Sequence, residues 1–503
     1  MSAAAAPPQP LPPAVGERRF ARLPGWWPLA ALVLLAAALR LSTLDLQSFW
    51  YDEAFTPVHV LHPSLVATLR AMVHHENNPP LWYVLAWADS RVLGTGEVAL
   101  RLPSALAGIA TVPVAWAIGR ELGARSVATL CAAIVAVDPL FVWYSQEARS
   151  YGLFLFTAAL ALLCFLRARR DPRPASMAWF ALSGALALLS HYFAVFLLAG
   201  MALVLLWDRR TRRAALPALG ALAVIGLALV PLISAQGGHG TQWIGRWPLS
   251  ERLQAIPQYF LTGYSGAPLG HGVELLVALP LLAGVAYGLW RMSWKAASEP
   301  RSATLAVLVV TACGVLLPLV LALGGADYLA PRNLVGAMVG VGALVAVLCL
   351  WPGTGRVGMV LGAVAVAALL AISVDVDLSP RLQRGNWRDV ARALATHADT
   401  PRVITTVELG AAPLEYYLAD LDLRNLHRGQ SVRVREIDET GYAPLRSSAS
   451  EPPAPGFAPA GRLDIDGLIV YRFRAVKPTL VSESTLRAHV ITDALPEVLL
   501  PSR

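Results

Sequence analysis

Residues 79–94 read Pro79-Pro80-Leu81-Trp82-Tyr83-Val84-Leu85-Ala86-Trp87-Ala88-Asp89-Ser90-Arg91-Val92-Leu93-Gly94, and whether they cross a membrane decides the fold. The apolar part, 81–93, is boxed between two prolines and a glycine and carries Asp89 and Arg91. Its thirteen residues reach about 20 Å as a helix, short of the roughly 30 Å hydrocarbon layer. Charge settles the matter. If 81–93 does not cross, the links holding Arg120/Arg125, Arg167/Arg169/Arg170, Arg209/Arg210/Arg212/Arg213, Arg291/Lys295/Arg301 and Arg356 all face the cytoplasm. If it does cross, every one of them is flipped outward, against the excess of Lys and Arg in cytoplasmic loops. The segment therefore reads as a juxtamembrane or re-entrant helix on the outer face.

Around it lie eleven apolar runs long enough, or nearly long enough, to span: 26–44, 102–118, 126–144, 151–166, 176–190, 192–207, 214–235, 273–290, 303–323, 334–350 and 357–374. The stretch 176–207 is split into a hairpin at His191-Tyr192, because both flanks are basic. Composition requires such a solvent: 56% of the 503 residues are hydrophobic and 15% charged, where soluble domains carry about a quarter charged. The net charge of +8 sits in the short links between apolar runs, which points to membrane orientation and away from nucleic acid. All four cysteines, Cys131, Cys164, Cys313 and Cys349, lie inside apolar runs and read as packing groups, not as a disulfide framework or metal cage.

Residues 1–25 read as a cytoplasmic tail, with Arg18, Arg19 and Arg22 ahead of a signal anchor. A transmembrane domain over 26–374 carries an outer loop at 45–101, and 375–503 forms a small extracytoplasmic α/β domain and tail. There the pattern predicts helices at 387–397 and 411–418, strands at 402–407 and 468–473, and a loose Ser/Pro/Ala-rich stretch at 446–461. No solenoid period or inverted repeat is visible.

Polar residues gather in the outward segments. Trp50-Tyr51-Asp52-Glu53-Ala54-Phe55 sets two carboxylates after two aromatics; it is either an acid/base or metal site, or a solvated loop with interfacial aromatic anchors. His74-His75-Glu76-Asn77-Asn78-Pro79-Pro80 reads as a polar lead into the short helix or as metal ligands. In Tyr144-Ser145-Gln146-Glu147-Ala148-Arg149-Ser150-Tyr151, Glu147 and Arg149 either pair within the turn or leave the arginine for an anionic partner. Arg332 is a second outward arginine; a guanidinium fork suits phosphate, while snorkelling to headgroups is the plainer alternative. Asp138 lies within a span, where a carboxylate needs a partner or a watery cavity.

Taken together, WYDEAF, NNPPLWY, RLPSALAG and YSQEARSY, in this order over about residues 25–350, resemble glycosyltransferase family 39. That family includes protein O-mannosyltransferases and the enzymes that add aminoarabinose to lipid A; the likeness is nearest its bacterial branch. Asn78, where a His often precedes the paired prolines, and Asp138, where a small residue is usual, depart from the common pattern. The resemblance implies a GT-C type α-helical polytopic fold, a polyprenyl-phosphate sugar donor and an active site outside the cytoplasmic membrane. It also implies Asp52 as the catalytic carboxylate with Glu53 beside it, and Glu147 and Arg149 near the donor phosphate.

The expected site thus comprises catalytic Asp52 and Glu53, with Arg149, Arg332, Glu147 and Tyr151 at the donor phosphate. Trp50, Tyr51, His75, Asn78, Pro80 and His191 are expected along the substrate cavity. A divalent cation, Mg or Mn, held by Asp52 and Glu147 is left open. Asp52 as base and an arginine clamp on the leaving phosphate suggest a single inverting displacement onto a glycan, lipid or protein acceptor. The rival from another class is a lipid or solute transporter or flippase, whose polar groups would gather at the midplane of discontinuous helices.

Overall fold

The computed structural model describes residues 26–238, 241–263, 271–292, 299–396, 400–408 and 410–502. The basic tail 1–25, Lys295, His397 and parts of the segment 236–272 lie outside the described residues. Every one of the eleven apolar runs is helical. Among the described residues seven helices are long and apolar enough to cross a membrane: Glu97–Leu122, Tyr151–Arg170, Arg212–Gln236, Glu274–Arg291, Arg301–Leu323, Pro331–Cys349 and Gly355–Leu378. Arg125–Val137 and Pro139–Ser145 form a pair bent by 55°, and Trp27–Leu41, Pro174–Ser190 and Ala194–Trp207 are shorter apolar helices. Leu81–Leu93 is a separate helix with Pro80 at its N-cap and Gly94, at φ 86°, at its C-cap.

The bend has a local cause. Pro139 has no N–H, so the carbonyl of Val135 loses its helical partner. Asp138 caps the next helix, its Oδ1 accepting from the N–H of Leu140 at 3.0 Å, which in turn frees the carbonyl of Ala136. Arg40, fully buried on the first helix, donates to both orphans: Nη2 to Val135 O at 3.0 Å and Nη1 to Ala136 O at 2.8 Å. Asp138, whose place within a span asked for a partner, is thus a helix cap at a break mended by Arg40.

The segments between helices group at two ends of the bundle. At one end Arg167 and Arg170 pair with Glu121, and Arg169 donates to Ser302. At the other, 45–101, 145–151, 191–193, Gln236, 327–334 and the C-terminal unit meet one another. The Arg167–Arg170 link and the polar motifs thus belong to separate groups of contacts.

The segment 45–101 holds more structure than was read in it: the helices Tyr51–Phe55 and Leu65–His75 and the π-turn Thr56–Val60 precede Leu81–Leu93. Ser64 starts the second of these, its hydroxyl accepting from Ala67 N.

Beyond the last apolar helix, Trp387–Ala395 and Ala411–Tyr417 flank a six-stranded sheet: β1 (Arg402–Val407), β2 (Leu423–Asn425), β3 (Ser431–Tyr442), β4 (Phe457–Ile465), β5 (Leu468–Ser482) and β6 (Pro496–Pro501). The order is β2-β6-β1-β3-β5-β4, with β1 and β3 parallel and every other pair antiparallel. β3 escaped the sequence reading because it buries Glu436 and Asp438, which are held by Arg402, Arg472 and Arg474; its inward face is charged where the pattern looks for apolar residues. The stretch expected to be loose, 446–461, runs into β4. All four cysteines are unpaired, three of them buried.

Arg40→Leu should lower the thermal midpoint in detergent, since two buried carbonyls lose their partners at about 1–3 kcal/mol each. Adding Pro139→Ala, which restores an N–H for Val135 O, should recover part of that loss.

Candidate active site

Asp52 and Glu53 are neighbours on the helix Tyr51–Phe55, and successive helical side chains point about 100° apart. The two carboxylates expected side by side consequently diverge. Glu53 turns into the protein and is wholly buried. Arg101, from the RLPSALAG motif, grips it at both oxygens: Nε to Oε1 at 2.8 Å and Nη2 to Oε2 at 2.6 Å. The remaining donors of Arg101 reach the carbonyls of Leu44 and Gln47, each at 2.7 Å, and Ser48 at 3.0 Å. All five N–H groups of one guanidinium are thereby used. Glu53 Oε1 also accepts from Ala148 N at 2.8 Å, tying in the turn of the YSQEARSY motif. Burial pushes the Glu53 carboxyl up, but Arg101 and then Arg384 outweigh it and hold it below the usual carboxylate range.

Asp52 faces the other way and keeps 15% of its side-chain exposure. Its Oδ2 meets Arg332 Nη1 at 2.6 Å, and Arg332 is 19% exposed. The Arg332 guanidinium lies 4.8 Å from the Trp243 ring and 5.9 Å from that of Tyr151. Tyr151 lies 5.7 Å from His191, which stacks on Phe154 at 4.7 Å. Burial, then Arg332 and Arg149, holds the His191 imidazole down at about 3, so it is neutral at physiological pH.

Arg149 does not pair with Glu147 within its turn. It closes on Glu76 instead, Nη1 to Oε1 at 2.6 Å and Nη2 to Oε2 at 2.9 Å, and Nη1 also reaches the backbone carbonyl of Asp52 at 3.3 Å. Burial opposes the charge on Arg149, and Glu76 more than offsets it. Glu147 is buried 3.4 Å from Arg384, while its Oε1 has no hydrogen-bond partner among the described residues. Burial pushes its carboxyl up to about 7 against the pull of Arg384, and the charges of Glu53 and Asp52 add to the rise.

The residues expected along a substrate cavity have different surroundings. Trp50 is buried in an apolar cluster with Trp387, Leu414 and Leu418 of the C-terminal unit, and the Tyr51 ring is tilted against it at 4.6 Å. His75 ends the helix Leu65–His75 and lies 6.2 Å from Phe55, ring to ring. Asn78 is buried: its Oδ1 accepts from Ser150 Oγ at 3.4 Å and its carbonyl from Gln236 Nε2 at 3.1 Å. Pro80 starts the short helix. Asp52 and Glu147 are each engaged by their own guanidinium, and no group of three or more His, Cys, Asp or Glu suited to a metal ion gathers among the described residues.

Sequence reasoning did not single out Arg384, Gln47, Glu97 or Tyr417, all of which hold the site together. Arg101 stood in a quoted motif without a role. Its position at the head of an apolar span was a signal, since an intramembrane arginine asks for a counter-ion.

This architecture is that of a polytopic membrane protein with a cluster of carboxylate–guanidinium pairs at one end of its helices. A family model for dolichyl-phosphate-mannose-protein mannosyltransferase matches residues 77–234, under a third of the chain and shorter than the stretch over which the motifs were read. The crystal structure of ArnT from Cupriavidus metallidurans bound to undecaprenyl phosphate superposes with a TM-score of 0.52 at 13% identity, covering 89% of this chain and 98% of that one. The Archaeoglobus fulgidus oligosaccharyltransferase, complexed with Zn and sulfate, aligns at a TM-score of 0.48 and 16% identity over 74% of this chain. The present chain spans 55% of that protein's length. No curated protein sequence matches. The resemblance to glycosyltransferase family 39 carried by the motifs is thus met by a family match and by a shared fold.

Arg101→Ala should destabilise the protein by about 3–5 kcal/mol, because it strands a buried carboxylate, and the loss should appear as a lowered melting temperature in detergent. Glu147 makes an opposite demand. Its folded pKa stands above the unfolded value of 4.5, so the folded state binds the extra proton and stability falls as pH rises from about 4.5 to about 7. In Glu147→Gln this slope should be shallower when melts at pH 5 and pH 8 are compared.

Proposed function

We propose that this chain is a membrane glycosyltransferase that moves a sugar from a polyprenyl-phosphate donor to an acceptor hydroxyl outside a bacterial cytoplasmic membrane. The observation that carries the reading is the Asp52–Arg332 pair, 2.6 Å apart and part-exposed at the end of the bundle opposite the basic links. The match to a mannosyltransferase family model supports the transferase over the transporter reading. In this reading the eleven apolar helices all cross, the N-terminus is cytoplasmic, and Leu81–Leu93 and the sheet unit lie outside.

The chemistry follows from the pair. In the resting protein Asp52 and Arg332 neutralise each other. A donor phosphate competes for Arg332, whose guanidinium already lies by Tyr151 and Trp243 and offers a fork suited to phosphate oxygens. Losing that partner leaves Asp52 free to take the proton of the acceptor hydroxyl as the oxygen attacks the anomeric carbon. The bond to the phosphate breaks from the opposite face, and Arg332 stabilises the charge gathering on the leaving polyprenyl phosphate. One displacement inverts the anomeric centre. Arg149, locked on Glu76, adds positive charge behind Asp52; Tyr151 and His191 are proposed to wall the donor side. Glu53 and Glu147 serve as buried anchors of the two motifs.

The test is release of polyprenyl phosphate by purified protein from a panel of polyprenyl-phosphate sugars, with cell-envelope extract as acceptor. Wild type should turn over one donor, and Asp52→Asn should abolish that turnover, with a loss of about 10²–10⁴-fold. Turnover that survives the substitution would remove Asp52 as base. A product with retained anomeric configuration would exclude the single displacement.

A further inference from the structure

The C-terminal unit contributes a residue to the interior of the site. Arg384, in the segment after the last apolar helix, is almost completely buried between the WYDEAF and YSQEARSY motifs. Its Nη1 donates to Gln47 Oε1 at 3.2 Å, its backbone N–H to the same oxygen at 3.0 Å, and its Nη2 to Trp143 O at 3.1 Å. The guanidinium sits 4.1 Å from the Trp143 ring. Its Nη2 lies 3.4 Å from Glu147 Oε2 and its Nε 3.8 Å from Glu53 Oε2. One cation thus faces two buried carboxylates that arrive from separate motifs.

The surrounding contacts extend the same hold. Ser48 Oγ donates to Gly385 O and accepts from Trp387 N, both at 3.0 Å. Tyr417 Oη accepts from Phe49 N at 2.7 Å and donates to Glu97 Oε1 at 2.6 Å, which Arg388 also meets at 2.7 Å. Trp50 closes an apolar cluster with Trp387. Residues 47–50, directly ahead of Asp52, are therefore fastened from the C-terminal side at every position.

We infer that Arg384 is a positioning residue for the transfer reaction, and that the C-terminal unit completes the active site by locking Glu53 and Glu147 in place behind Asp52. The inference rests on the glycosyltransferase reading for its kinetic consequence but not for its structural one. Arg384 touches no reacting atom; it acts through the placement of the Asp52 helix. Its loss should lower turnover while leaving donor affinity largely intact.

The experiment uses the full chain in detergent with Arg384→Ala, and Arg384→Lys as the milder variant should the first not fold. Hydrogen–deuterium exchange should accelerate over 47–55 and 143–150 while the strands of the sheet keep their protection. In the polyprenyl phosphate release assay, kcat should fall about a hundredfold, the scale expected of a catalytic group misplaced by an ångström, with the donor KM nearly unchanged. Unchanged exchange over 47–55 would overturn the inference whatever the assay shows, as would an unaltered kcat. A loss seen in KM alone would make Arg384 a binding residue and also overturn it. If wild type releases no polyprenyl phosphate from any donor, the transferase reading falls, while the exchange experiment still decides whether Arg384 positions the loop.

Discussion

A buried carboxylate is costly unless it is paired and hydrogen-bonded, and the Glu53–Arg101 contact is where this requirement shapes the molecule. Glu53 has no solvent, so its charge survives because Arg101 closes on both oxygens, Arg384 stands nearby and Ala148 donates a third hydrogen bond. The remaining donors of Arg101 then have to be satisfied in turn, and the carbonyls of Leu44, Gln47 and Ser48 do so. Through two side chains, the end of the first span, the loop carrying Asp52, the head of the helix Glu97–Leu122 and the turn at Ala148 become one body. A lysine in place of Arg101 could not serve this function, because a point charge with three donors cannot span a fork and three carbonyls.

The same logic distributes charge around the site. Asp52 with Arg332, Glu76 with Arg149, and Glu147 with Arg384 form three further carboxylate–guanidinium pairs at one end of the bundle. They differ in how they can respond to a ligand. The Glu76–Arg149 pair is bidentate and buried, so it is fixed. Asp52 and Arg332 touch through one contact and keep some exposure, so an incoming anion can compete for the arginine. Glu147 is underpaired, with one oxygen unbonded and a carboxyl raised to about 7, which marks the position where the buried network is least settled.

Arg40 follows the same rule inside the bundle. A proline and an aspartate break an apolar helix; the break exposes two carbonyls, and a single arginine from the first helix repairs both. The bend so stabilised leads directly into the YSQEARSY turn, so a defect in one helix helps aim the residues that face Asp52.

Much of the fold was legible in the chain because bilayer physics acts on length and charge, both local quantities. The apolar runs, the short helix at 81–93, the strand at Arg402–Val407 and the gathering of motif residues in the segments between apolar helices all follow from counting. The pairing could not be counted. Nothing in WYDEAF says that Glu53 turns inward to Arg101 while Asp52 turns outward to Arg332, since adjacent helical residues diverge and their partners lie dozens to hundreds of positions away. Nor does YSQEARSY say that Glu147 and Arg149 ignore each other for Arg384 and Glu76. Strand β3 hid behind its own buried charges for the same reason. The sequence by itself determined which segments are apolar helices and where the polar motifs lie between them. Only the tertiary structure decided which charge meets which, because that choice depends on distances between segments that the order of residues does not contain.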